Sequence, residues 1–549
     1  MSAPNTPKRS TREEMALIEV GHTSISNRTA WAMTWFFLVL IVAMPVAEIG
    51  IQVIAALRSG TPILTAVAAL PAFSLLRQPP SLGDFTFPIH HAWQIEHNPL
   101  HDAEHAIEDA SLPRRTVQAR LQEVLSAACR TGNSQVVRGV DDWLFYRPGI
   151  DYVGGPGFLS VANHHVMPRR DPDPRPAIRS FAKTCADAGI RLLVLPMCDK
   201  AMVQPEKLVA GMHAPLDNPD FVELSRELAA EGIDCWSPLQ VMLEIAAHDD
   251  AYLHQDTHWT PAAMDAVAAA LAQHLALPTA RQQRTWSTQP CDATRVGDLV
   301  DTLKLSHDQA VFAPRTVRIA QVHAMDGSIW QPRHDADVLL LGDSFTNIYS
   351  APQMGWGEGA GFGAHLAVHL GRDIDVIAIN GAGASGTRQE LAHHPERLLG
   401  KKLVIWQFSA RDLAVSEWKS VPIVVPPAVS RPQPDAVASS SLELVGTITV
   451  VSHVPSPGGL PYADALTTLK IRIDQIIHGT SEQHEALIVV PCMRNFTLLP
   501  AAALRVGQRL HVTLVPWSTV ESIQGQTKRY DDTDEFDLPQ QWVESYEVH

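Results

Sequence analysis

The sequence predicts an α/β domain with a mainly parallel sheet and flanking helices, a small all-β domain behind it and an N-terminal transmembrane helix in front. Three observations carry this. Between residues 177 and 409 helical and strand patterns alternate, as crossover connections in a parallel sheet require. Beyond a proline-rich stretch, apolar runs separated by turn residues read as strands of a sandwich or barrel. Near the start, residues 29–47 carry no charge.

Composition narrows the function classes. At 549 residues the chain exceeds one ordinary domain, and about 150 residues per domain allows roughly three or four units. Lys and Arg number 43 against 59 Asp and Glu, a net charge of −16. No basic excess is available to neutralise phosphates, which argues against a nucleic-acid partner. Six cysteines without a CxxC pair exclude a disulfide scaffold and argue against a structural zinc site of that type. In an oxidising compartment they could still pair, with fifteen full connectivities and no choice among them.

Residues 1–28 form a polar tail with Lys8, Arg9, Arg12 and Arg28. The run TAWAMTWFFLVLIVAMPVA that follows would span about 28 Å as a helix, close to the hydrocarbon thickness of a bilayer. Trp31 and Trp35 near its entry fit interfacial aromatics. No small-residue cleavage site follows, so residues 29–57 read as an uncleaved single-pass anchor rather than a signal peptide. The positive tail then stays in the cytoplasm and the bulk of the chain lies in the periplasm or another extracytoplasmic space. The competing reading is a buried helix. A second uncharged run at 59–76 is broken by Pro62 and Pro71 and reads as a packing segment.

Residues 58–130 read as a helical connecting region, with Val117, Leu121, Val124 and Leu125 at helical spacing. The α/β domain is expected over 131–420. Its helices are AIRSFAKTCADAG, stopped by Gly189, DNPDFVELSRELAAEG, stopped by Gly232, and PAAMDAVAAALAQHL, opened by Pro261. Its strands are RLLVLPM, ADVLLLGDSF, DIDVIAIN and KKLVIWQF. Residues 421–440 hold five prolines and a serine run, a linker. Within 441–549, LELVGTITVVSHV, TLKIRIDQII, EALIVVPC and RLHVTLVPW read as strands.

Two short motifs point to chemistry. In LLLGDSFTNIYS, Ser344 lies just past a buried strand, with Gly342 permitting a tight turn and Asp343 fixing it. A serine there stands at the carboxyl edge of the sheet, where its own N–H and the following turn can hold an oxyanion. Ordinary turn chemistry produces the same three residues. In YLHQDTHWTPAA, Asp256 and His258 lie two apart before a helix. A serine hydroxyl needs a base to take its proton, and the base needs an anion to hold its tautomer. Asp-x-His supplies both; a capping Asp beside an incidental His is the plainer account. Together the motifs suit a Ser-His-Asp hydrolase or acyltransferase. The His doublets at 90–91, 164–165 and 393–394 lack metal-ligand spacing. The acidic run 531–537 lacks the spacing of a calcium loop and reads as solvated. No metal and no bound cofactor are expected.

Segments 132–159, LLVLPMCDKAMVQPEKL, YLHQDTHWTP, LLLGDSFTNIYS, INGAGASGTRQEL and VIWQFSARDL occur in an order that resembles the alginate O-acetyltransferase family of the AlgJ/AlgX type, which is SGNH hydrolase-like. The resemblance covers roughly residues 130–420. The aspartate and histidine precede the serine and are spaced DxH, a permutation of the serine-first, DxxH-last order familiar in SGNH esterases. It implies an exported enzyme that moves acetyl groups onto exopolysaccharide hydroxyls, with Ser344 as nucleophile, His258 as base and Asp256 as its orienting partner. It also implies a membrane-bound O-acyltransferase partner that relays the acetyl group. Asn380, with Gly381 and Gly383, stands where such proteins complete an oxyanion hole, or is a strand-ending turn. Arg411 either contacts a substrate carboxylate or carbonyl, or pairs structurally near Asp412. Lys200 either orients a loop or is a surface lysine; Trp143 and Tyr146 pack as core or stack on sugar. Two rival functions remain at this level: an acetylesterase with the same triad, and a non-catalytic polysaccharide-binding scaffold.

Overall fold

The structure is a computed structural model that describes residues 26–59, 112–160, 171–278, 284–306, 308–427, 441–455 and 462–549. The chain divides into two units, residues 1–118 and 119–549. In the first, helix α1 runs from Asn27–Ser59. Among the described residues no helix is long and apolar enough to cross a membrane, so the transmembrane anchor expected at 29–57 is not supported there. The uncharged run nonetheless lies inside one continuous helix, and its described side chains, Trp31, Trp35, Phe36 and Val42 among them, are exposed. The tail up to residue 25, the run at 60–76 and the doublets His90-His91 and His164-His165 fall outside the described residues.

Helix α2 (Leu112–Cys129) leads into the second unit. A short antiparallel pair follows, β1 (Val136–Arg138) and β2 (Leu144–Tyr146). Helix α3 (Pro174–Asp187) starts where the Asp173 side chain accepts from the Arg175 N–H and Pro174 takes the first turn. It delivers the chain to β3 (Arg191–Met197), buried in all but its first residue. Helix α4 (Pro219–Ala230) leads to β4 (Asp234–Cys235), and α5 (Pro261–Leu275) is capped by Thr260. A hairpin of β5 (Ser287–Arg295) and β6 (Arg315–His323) is then inserted. The chain returns through β7 (Val338–Gly342), the single turn α6 (Ser344–Asn347), α7 (Phe362–Leu370), β8 (Asp375–Ala378), α8 (Gly383–His393) and β9 (Leu403–Ser409).

These strands form one parallel sheet in the order β4-β3-β9-β7-β8. The run VLLLG is buried at every residue, as a sheet covered on both faces demands. The sheet's core joins helices and strands through Trp406, Phe181, Phe408 and Trp259. The six cysteines are free thiols, so none of the fifteen pairings is formed.

Past the linker, whose residues 428–440 are not described, come β10 (Leu442–Val451), β11 (Ala465–His478), β12 (Glu485–Arg494), β13 (Thr497–Leu498), β14 (Arg509–Pro516), β15 (Lys528–Tyr530) and β16 (Gln540–Val548). The order β12-β16-β14-β10-β11 closes on itself because β11 also pairs with β12. Of the two all-β forms the sequence allows, this is the barrel. Its interior is aliphatic, with Leu444, Ile488, Val512 and Leu514. The acidic run is not simply solvated: Asp532 accepts from the His453 amide at 2.9 Å, and Asp531 accepts from the Thr533 hydroxyl at 2.6 Å.

Candidate active site

Ser344 begins α6 directly after β7 and is 2% exposed. The turn is tight because Gly342 has no side chain: a Cβ there would lie 2.2 Å from Thr346 Oγ1. Asp343 fixes it. Its carboxylate accepts from the Phe345 amide at 2.9 Å, from Gln407 Nε2 at 2.7 Å and from the Ser409 hydroxyl at 3.2 Å. The last two partners sit on β9, so the neighbouring strand holds the turn in place.

The Asp-x-His loop is pinned by a bridge between Tyr252 and Trp259 and by the cap of α5. Asp256 Oδ1 lies 2.6 Å from His258 Nδ1 and also accepts the His258 backbone N–H at 3.1 Å. Asp256 Oδ2 accepts from the Asp298 amide at 3.0 Å and from Trp356 Nε1 at 2.9 Å. Asp256 and His258 are each 1% exposed. Burial alone would raise the Asp256 pKa; the His258 contact and the two N–H donors hold it well below the usual range. Burial alone would lower that of His258; the Asp256 hydrogen bond and charge win and raise it. The carboxylate on Nδ1 puts the proton there and leaves the Nε2 lone pair to act as acceptor. Nε2 is buried and has no hydrogen-bond partner among the described residues. Asp298, whose Oδ2 lies 3.7 Å from His258 Nδ1, has its pKa raised by burial and by the charge of Asp256.

Ser344 and His258 are not hydrogen-bonded to each other here. The His258 ring instead packs 4.9 Å from that of Phe345, the residue next to the serine. Ser344 Oγ accepts from the hydroxyl of Tyr462, at 3.0 Å. Tyr462 also lines a cavity of about 270 Å³ that reaches Asp256, Asp298, Arg295, Asn380, Phe496 and Lys528. One wall of it therefore comes from the barrel segment of the chain.

The other expected residues fall out as follows. Asn380 is buried and lines the cavity, but its backbone N–H donates to the Gln526 carbonyl at 3.0 Å, so it is not free for an oxyanion. The Asn380 side-chain oxygen accepts from Asn347 Nδ2 at 3.0 Å. Gly381 has φ +62°, and its carbonyl accepts from Lys528 Nζ. Gly383, at φ +59°, starts α8. Arg411 is paired, not with Asp412 but with Asp199, at 2.5 Å. Lys200 is no surface lysine: it is 5% exposed, donates to the Leu144 carbonyl at 2.7 Å and stands over the rings of Trp143 and Phe145. Burial pushes its pKa down to about 7. Trp143 is core, and the Tyr146 ring lies under Arg411.

Among the described residues, Asp256, His258 and Asp298 have possible ligand atoms within 4.8 Å of one another. Both Asp256 oxygens and Asp298 Oδ1 face N–H or O–H donors. Asp298 Oδ2 has no hydrogen-bond partner among the described residues, so the group is a hydrogen-bonded acid–base pair with one open carboxylate oxygen beside it. Sequence reasoning missed Tyr462, Asp298, Trp356 and Lys528. Each is far in sequence from the motif it serves, and none sits in a pattern that marks it.

Residues 136–410 match the family model described as SGNH hydrolase-like domain, acetyltransferase AlgX. The chain belongs to this family. The match spans both motifs and all five strands of the parallel sheet and ends before the barrel. A curated relative, "Probable alginate O-acetylase AlgJ" of Azotobacter vinelandii, is 24% identical over 301 residues, 52% of this chain and 71% of the relative. Among solved structures, the O-acetyltransferase domain of Pseudomonas putida AlgJ is 22% identical with a TM-score of 0.40, covering 51% of this chain and 93% of that one. Pseudomonas aeruginosa AlgX is 18% identical with a TM-score of 0.39, covering 57% and 79%.

Proposed function

We propose that this protein acetylates hydroxyl groups of an exopolysaccharide, alginate or a related polymer, through an acetyl-serine intermediate on Ser344. The observation that carries the reading is the buried Asp256–His258 pair, with its Nδ1 proton held at 2.6 Å and its Nε2 unpartnered beside the Ser344 turn. Ser344 Oγ attacks the carbonyl carbon of the acetyl donor while its proton passes to His258 Nε2. Asp256 stabilises the imidazolium, and the departing donor oxygen takes that proton. In the second half the sugar hydroxyl gives its proton to His258 and takes the acetyl group, and Ser344 leaves reprotonated. The Ser344 amide and the Asn380 side chain would hold both tetrahedral oxyanions. An apo serine–histidine contact is often loose and tightens only with substrate, which accommodates the present geometry.

Three further parts belong to this reading. The uncharged run inside α1 would tether the protein to the inner membrane and leave the remainder in the periplasm. A membrane-bound O-acyltransferase would relay the acetyl group from the cytoplasm. No bound cofactor takes part. The test is to treat the full-length protein with an activated acetyl ester and map adducts by mass. An acetyl group on Ser344, absent in Ser344→Ala and reduced in His258→Ala, is expected. No adduct and no ester turnover in folded protein would overturn the reading. Adding an oligosaccharide acceptor then separates transfer from hydrolysis. The pH profile is a second check. Only neutral imidazole accepts a proton, and the His258 pKa is raised. Acylation should therefore fall on acidification with a half-point above the ordinary value of about 6.5; a half-point below it would contradict the assigned base.

A further inference from the structure

Resting on that reading, we propose that Tyr462, delivered by the barrel segment, is a catalytic residue: its phenol is the second hydrogen-bond partner of Ser344 Oγ and steadies that oxygen as it gains and loses its bond to the acetyl carbon. A hydroxyl has one proton to give and two lone pairs to receive. The Tyr462 O–H occupies one lone pair at 3.0 Å. This leaves the serine proton for His258 Nε2 and the other lone pair for attack. Tyr462 keeps its own proton throughout. Burial raises its pKa, so it remains a donor at any working pH.

The ring's seat is built for it. Gly381 stands against its edge: a Cβ on that residue would lie 2.4 Å from Tyr462 Cε2. The same loop is gripped twice more by the barrel segment, through the Gln526 carbonyl on the Asn380 amide and through Lys528 Nζ on the Gly381 carbonyl. Ala463, Asp464, Phe496 and Thr527 continue from Tyr462 along the cavity wall. The barrel segment therefore adds to the site that the α/β part begins: Tyr462 both lines this cavity and touches Ser344 Oγ, and the serine itself lies behind it.

The test is Tyr462→Phe in the full-length protein, which keeps the ring in its seat and removes only the hydroxyl. Acetylation of Ser344 by an activated ester is expected to slow about 10- to 100-fold, the scale for losing one hydrogen bond to a charged oxygen. The loss should fall on kcat, with KM for the small ester unchanged and the thermal midpoint retained. A Tyr462→Phe rate within twofold of wild type would overturn the proposal, and so would a faster one, which would make the phenol a block. If the wild-type protein itself forms no adduct, the acetyl-serine reading fails; if it does and Tyr462→Phe matches it, only the role of Tyr462 fails.

Discussion

Asp256→Asn is expected to lower acetyl-ester turnover by about 10⁴-fold while leaving the fold intact. The size follows from which end of the new amide faces which partner. Asp256 Oδ2 receives two N–H donors, from Asp298 and from Trp356. An amide oxygen fits that place and an NH2 group does not. The NH2 is therefore turned toward His258 Nδ1, where it donates and forces the ring proton onto Nε2. The imidazole then presents a proton where the reaction needs a lone pair. The backbone N–H of His258, at 3.1 Å from Oδ1, loses its acceptor as well. Turnover within tenfold of wild type would show that the Asp256 contact does not set the tautomer.

Asp375→Ala is expected to cost about 3–5 kcal/mol of folding free energy, because it strands two buried cations. Asp375 is fully buried at the start of β8. Its carboxylate meets Arg397 through both oxygens and Lys401 Nζ at 3.0 Å. Lys401 also donates to the carbonyls of His334 and Ala336, each at 2.7 Å. Removing the anion leaves the buried ammonium with backbone oxygens alone, and the guanidinium with the Val376 carbonyl and the more distant Glu521 carboxylate at 3.6 Å. Denaturant unfolding of wild type and variant measures the difference. A loss below 1 kcal/mol would mean that water reaches the site and replaces the carboxylate. Asp375→Asn should cost less, since the amide oxygen still accepts from one of the two cations.

Much of the α/β part was legible because its elements are local. The strand RLLVLPM was read at residues 191–197 and PAAMDAVAAALAQHL at 261–275, as found. Period, a proline at the first turn and a following glycine suffice for such segments. KKLVIWQF was read two residues too early, since Lys401 and Lys402 end the preceding turn with their charges paired to Asp375 and Asp337. The hairpin of β5 and β6 was not seen. β5 is almost wholly exposed and polar, so no apolar alternation marks it, and the short alternation of Val317 and Ile319 in β6 is broken at Ala320 and Gln321. β16 was missed for the same reason. At the candidate site the Asp256–His258 contact was legible because both residues lie in one loop, and so was the turn that carries Ser344; a contact between Ser344 and His258 is not formed. Tyr462 was not legible. Its contact with Ser344 spans 118 residues, and its neighbours in sequence carry no periodicity that points there. Arg411 was read as a substrate contact or a structural pair near Asp412, and Lys200 as a loop-orienting or a surface lysine. What sequence does not show is that Asp199 and two backbone carbonyls claim them.

The hairpin inserted before β7 bears on how the protein avoids sticking to copies of itself. In this two-stranded ribbon of nine residue pairs the end of β6 is already paired, through Val322 with Gly359 and Trp330, but β5 offers a long outer edge, the kind that recruits further strands into aggregates. Here that edge is guarded by chemistry. Pro290, in the middle of β5, has no N–H to offer an incoming strand. Asp292 and Arg318, paired across the ribbon at 3.0 Å, put opposite charges on its exposed surface. The parallel sheet is guarded by length instead: its outer strands β4 and β8 are two and four residues long. Substituting Pro290 and Asp292 by β-branched apolar residues would remove the ribbon's protection and leave Ser344, His258 and Asp256 untouched, and is expected to make the protein self-associate through that edge, as its sedimentation would show.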